Sequence, residues 1–91
     1  MYNIILSSYY KKRSTIFIQR HPDLIKRYKK TILLLQDNPY HPSLRLHKLK
    51  GELSEFYSIS LNLKYRILLD FIIIDETIIL IDIGNHDEVY Q

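Results

Sequence analysis

Hydrophobic residues along this chain change their period twice, and each change marks a boundary between elements. Residues 2–6 (YNIIL) form a short apolar run that predicts a strand. Ser7 or Ser8 then stands where a helix through SYYKKRSTIFIQR needs its cap. The stretch from Ser14 to Ile18 weighs against that helix, because β-branched side chains lose freedom in a helical backbone. At HPDL, Pro22 suits a first helical position and Asp23 the positive end of the helix dipole. Leu24, Ile25, Tyr28, Ile32 and Leu35 then follow the i, i+3, i+4 rhythm of an amphipathic helix, with Lys26, Arg27, Lys29 and Lys30 on the remaining positions. DNPYHP ends it, since each proline restricts the residue before it.

After the prolines the period falls to two. Leu44 and Leu46 alternate with Arg45 and His47, which predicts a strand there. Gly51 interrupts it, and Tyr57, Ile59 and Leu61 alternate with Ser58, Ser60 and Asn62 as a half-buried strand. A tight connection at NLK leads to YRILLDFIII, apolar on both faces and therefore central. Asp75-Glu76 is the polar break before TIILIDIG, so these two strands form an antiparallel hairpin. The order is β-α-α-β-β-β-β, an α+β fold in which an antiparallel sheet packs against two N-terminal helices in one domain spanning residues 1–91.

Folding the hairpin about Asp75-Glu76 places Ile74 opposite Thr77, Phe71 opposite Leu80, Arg66 opposite Asn85 and Tyr65 opposite His86. If the preceding strand turns back through residues 62–64, Ser60 lies close to Arg66 and on the same face as Ser58. One end of the sheet then gathers Ser58, Ser60, Arg66, His86 and Tyr90. Plainer roles exist for each. Arg66 has Asp70 or Asp82 available as ion-pair partners, His86 sits near a terminus, Tyr90 can seal a core edge, and His47, Lys48 and Lys50 decorate an edge strand. His21 and His41, each followed by proline, read as loop residues.

Composition narrows the chemistry. Ninety-one residues without cysteine make one small domain with no disulfide and no thiolate, which fits a reducing compartment. The N-terminus carries its charge after the apolar run, unlike a signal peptide, and the protein is read as cytoplasmic. The apolar stretch 65–84 contains Arg66, Asp70, Asp75, Glu76 and Asp82, too many charges for a bilayer span, so no membrane partner is expected. The net charge of +3 conceals an asymmetry: residues 1–50 hold eleven Lys/Arg and two Asp/Glu, residues 51–91 two and eight. A basic half of that size points to a polyanionic partner, nucleic acid first. Two glycines exclude a glycine-rich phosphate loop, no serine is glycine-flanked as in a hydrolase elbow, and no H-x-x-x-H or paired-carboxylate spacing supports a metal.

The order of elements, the segment LHKLKGELSEFYSISL, the YRILL strand and the ending IDIGNHDEVY together resemble the RelE/ParE superfamily of type II toxin–antitoxin toxins, nearest its YafQ-like mRNA interferases. The resemblance covers nearly the whole chain. It implies a RelE-like fold and a metal-independent endoribonuclease, without cofactor, that cuts mRNA in the ribosomal A site by attack of a ribose 2′-OH on the adjacent phosphate. It also implies three partners: mRNA, the ribosome with its 16S rRNA, and a cognate antitoxin laid over apolar grooves. Position by position, Arg66 matches the arginine used on the scissile phosphate and His86 a candidate general acid or base. Tyr90 matches a C-terminal aromatic that stacks on a base or assists proton transfer, and His47 a histidine of the YafQ-like branch. Lys48, Lys50, Ser58, Ser60 and Lys64 complete the expected RNA-binding set. The chain departs from the family where some interferases carry two lysines, here Ser58 and Ser60, and where YafQ-like members have a histidine near Ser60 and an aspartate near Lys64. Two other functions share the fold: inhibition of DNA gyrase in the manner of ParE, and a catalytically degenerate module that only joins an antitoxin.

Overall fold

The computed structural model describes residues 1–72 and 75–90. Strand β1 (Asn3–Leu6) leads into helices α1 (Ser8–Arg20) and α2 (Ile25–Asp37), joined by a 3-10 turn at Pro22–Leu24. Short strands β2 (His47–Lys48) and β3 (Tyr57–Ser60) precede the long pair β4 (Tyr65–Ile72) and β5 (Thr77–Asn85). A single turn of helix, α3 (His86–Val89), follows. The sheet runs β1-β5-β4-β3-β2, with β4 at its centre as its two apolar faces require. The four later strands are antiparallel as expected, whereas β1 joins β5 in parallel, so the sheet is mixed.

Ser7 caps α1 by accepting the Tyr10 N–H at 3.1 Å. The helix forms despite its β-branched residues because Tyr10 and Phe17 are buried against the sheet, and tertiary packing outweighs local propensity. The Tyr10 and Tyr28 hydroxyls meet at 2.7 Å and tie α1 to α2. The core lies between these helices and one sheet face, where Tyr10, Phe17 and Leu35 pack with Ile59, Ile67, Leu69, Ile78, Leu80 and Ile83.

Two sequence expectations are corrected. The strand expected from Leu44 is a 3-10 turn over Pro42–Leu44, and Arg45 adopts a left-handed conformation (φ 52°), leaving only His47 and Lys48 paired with β3. Leu44 owes its apolar character to burial in the core, not to a pleat. In the β4–β5 hairpin Tyr65 pairs with Asn85, Arg66 with Gly84, Phe71 with Ile78 and Ile72 with Thr77. The expected register was therefore wrong, and His86 lies beyond the ladder. Two local features account for the shift: Glu76 turns with φ 49°, and Ile81 has no partner on β4 where the pairing slips between Leu68 and Leu69. The expected pairing of Ile74 falls outside the described residues. No helix among them is long and apolar enough to cross a membrane.

Candidate active site

Strand alternation puts Ser58, Ser60 and Arg66 on the sheet face opposite the main core, since Ile59 and Ile67 between them are buried in it. Arg66 is paired with Ser60 across the ladder, and its Nη1 donates to the Ser60 Oγ at 2.7 Å. Neither Asp70 nor Asp82 is its partner among the described ion pairs. Ser58 is fully buried, and the Tyr90 hydroxyl donates to its Oγ at 2.6 Å. The two serines that stand where lysines occur in some interferases thus each hold a candidate site residue in place.

Tyr90 can reach Ser58 because α3 turns the chain back over the sheet. Asn85 and Glu88 form a reciprocal cap: the Glu88 N–H donates to Asn85 Oδ1 at 2.9 Å, and the Asn85 N–H to Glu88 Oε1 at 3.0 Å. Val89 is buried beneath the turn. Arg13 of α1 secures it from the other side, donating through Nε to Asp82 Oδ1 at 3.0 Å and lying 3.5 Å from Glu88 Oε2 through Nη2. The hydrogen bond from the Asn85 backbone, with Arg13 nearby, holds the Glu88 carboxyl below the usual carboxylate range. The hydrogen bond to Asp82 pushes the Arg13 guanidinium further above its usual value.

At the first position of α3 the exposed His86 ring meets Tyr90 edge to face, with centroids 4.4 Å apart and planes at 88°. Both border a cleft of about 550 Å³ whose opposite wall carries His47, Lys48 and Lys50, together with Leu49, Leu53 and Glu52. The His47 ring is oriented by its Nδ1, 3.0 Å from the Arg45 carbonyl. Two imidazoles therefore share one cleft with two ammonium groups.

The expected residues are not all in this cleft. His47, Lys48, Lys50, His86 and Tyr90 line it; Ser58 lies beneath Tyr90; Arg66 and Ser60 stand beside it on the same face. Lys64 is elsewhere, in the β3–β4 turn with its amine 5.4 Å from the Tyr65 ring centre. His21 packs on Phe17 and Tyr65, and His41 accepts from Ser43, so both are structural. Sequence reasoning missed Glu52, Leu53 and the Arg13 clamp. The clamp spans 69 residues, beyond any local pattern, but Asn85-x-x-Glu88 has the capping-box spacing and could have revealed α3. Among the described residues, no group of three or more His, Asp or Glu side chains is placed to hold a metal ion.

Several solved structures share this architecture. A metal-bound toxin from Helicobacter pylori is 27% identical, with 98% of this chain and 99% of that one aligned at a TM-score of 0.79. YafQ from E. coli aligns over 100% of both chains at a TM-score of 0.82 and 16% identity. YoeB, in a heterotetrameric YoeB–YefM toxin–antitoxin complex from Staphylococcus aureus, covers 94% of this chain and 98% of its own at 0.72 and 21%. No protein-family model and no curated protein sequence matches the chain. The fold is the RelE-like fold of the YafQ and YoeB toxins, as the sequence resemblance implied.

Proposed function

We propose that this protein is the toxin of a type II toxin–antitoxin system and an endoribonuclease that cuts mRNA in the ribosomal A site. The observation that carries the reading is the single cleft lined by His47, Lys48, Lys50, His86 and Tyr90, with Arg66 on the same sheet face. The likeness to toxin structures, one of them solved with its antitoxin, supports the same reading and a cognate antitoxin as partner.

In the proposed reaction a ribose 2′-OH attacks the adjacent phosphate. The bond to the 5′-oxygen breaks, leaving a 2′,3′-cyclic phosphate and a 5′-hydroxyl. One imidazole of the His47/His86 pair takes the 2′ proton and the other delivers a proton to the departing oxygen. Arg66, held by Ser60 through Nη1, and Lys50 offset the charge that grows on the phosphorane-like transition state. Tyr90, anchored through its hydroxyl, presents its ring to an unpaired base.

Purified protein added to a translation reaction is expected to cleave mRNA only while it is being translated. Arg66→Ala and His86→Ala should each lower the rate by roughly 100-fold or more. Wild-type cleavage by both variants would overturn the site. Intact mRNA combined with inhibited gyrase supercoiling would overturn the function in favour of the ParE-like alternative.

A further inference from the structure

A second concave surface lies around the corner from the cleft, where α2 faces the β3–β4 turn. Two adjoining hollows of about 300 and 220 Å³ share Arg27, Ser43, Ser60 and Leu61 as a common wall. Lys26 and Lys30 border the first and Arg45 the second. No carboxylate lines either hollow, and among the described residues none of these four cations forms an ion pair. Lys26 and Lys30 are four residues apart on α2, about 6 Å along the helix axis, so they present a row of positive charge.

Three observations set this groove apart from an ordinary solvated lysine face. Arg27 is already oriented, with its Nη1 donating to the Leu61 carbonyl at 3.3 Å. Arg45 holds a left-handed backbone (φ 52°, ψ 45°), a conformation costly for a side chain with a Cβ and characteristic of positions whose placement matters. The groove is also joined to the cleft at two points: Ser60, in its wall, holds Arg66, and the Arg45 carbonyl orients His47.

We infer that this groove binds the phosphodiester backbone of single-stranded RNA flanking the bond to be cut, an inference that rests on the proposed nuclease reading. Guanidinium forks and ammonium groups match phosphate oxygens, and the four cations of the groove supply both. At the outer end Leu63 is 87% exposed, an apolar surface suited to the face of an unpaired base and of no use to a duplex, whose bases are stacked inside.

The test is fluorescence anisotropy in a His86→Ala background, where the RNA stays intact, with a labelled single strand of roughly 12 nucleotides. Replacing Lys26, Arg27 and Lys30 together with Gln is expected to weaken binding at least tenfold. It should also flatten the dependence of log affinity on log salt by about 2, at about 0.7 per lost phosphate contact. Arg45→Gly, which relieves the backbone, is expected to weaken binding while the melting temperature stays at or above that of the parent. Unchanged affinity and salt slope in the triple variant would overturn the inference. So would tighter binding of a duplex of the same sequence, or of a polyglutamate peptide. The two readings separate cleanly: groove-dependent RNA binding without translation-dependent cleavage removes the nuclease and leaves the groove, and the converse result does the opposite.

Discussion

Gly84 sets how closely α3 can approach β5. A Cβ built there would stand 3.0 Å from Glu88 Cβ, 3.1 Å from Glu88 Oε1 and 3.2 Å from Arg13 Nη2. The first of these is a rigid part of the turn, so Gly84→Ala must displace it. The expected cost is about 1–3 kcal/mol, and each kcal/mol lowers the melting temperature of a domain this small by roughly 4–8 °C. A calorimetric scan matching wild type would contradict the close packing. Tyr90→Phe removes the donor to a fully buried Ser58 hydroxyl and should cost about 1 kcal/mol while keeping the ring. If the ring alone serves the substrate, this variant keeps its cleavage rate and Tyr90→Ala loses it, which a translation-coupled assay reads directly.

At the scale of elements, α3 is one turn long and depends on what holds it. Glu88 carries a depressed carboxyl pKa, so in the acid range the unfolded chain binds the proton more readily than the folded one. Its contribution to stability is fully present above the usual value of 4.5 and is lost as pH falls through the lower folded value. Melting curves of wild type and Glu88→Gln should differ at neutral pH and converge in acid; a constant gap across that range would contradict the clamp. The elements differ in how far their sequence revealed them. Helix α2 was legible because Leu24, Tyr28, Ile32 and Leu35 keep its period, and α1 because Ser7 marks its start even though its interior propensity is poor. Strand β2 was overread, since Leu44 and Leu46 alternate for reasons of burial around a turn that Pro42 and Arg45 impose. The parallel pairing of β1 with β5 and the bridge from Arg13 to Asp82 depend on where the chain returns after many residues, which no local period encodes. Within the site, Tyr90 reaches Ser58 through the turn of α3, whereas the gathering of Arg66, Ser60 and Ser58 on one face followed from strand alternation. The far wall with Glu52 and Leu53 did not, because it comes from an irregular turn at Gly51–Leu53.

At the scale of the whole molecule the charge asymmetry becomes spatial. Six of the eleven cations of residues 1–50 line the groove (Lys26, Arg27, Lys30, Arg45) or the cleft (Lys48, Lys50), whereas Asp82 and Glu88 pair with Arg13. Association with RNA or the ribosome should therefore weaken steeply with added salt, and a cosedimentation series that shows no such dependence would contradict the electrostatic account. If the fold positions a ribose 2′-OH for attack on its own phosphate, removing that hydroxyl from the substrate abolishes the reaction. An mRNA carrying a single 2′-deoxy nucleotide on the 5′ side of the mapped cut is translated in the presence of the purified protein. Cleavage at that bond is expected to disappear while the all-ribose mRNA is cut to a 2′,3′-cyclic phosphate end; equal cleavage of the two messages would rule out attack by the 2′-OH.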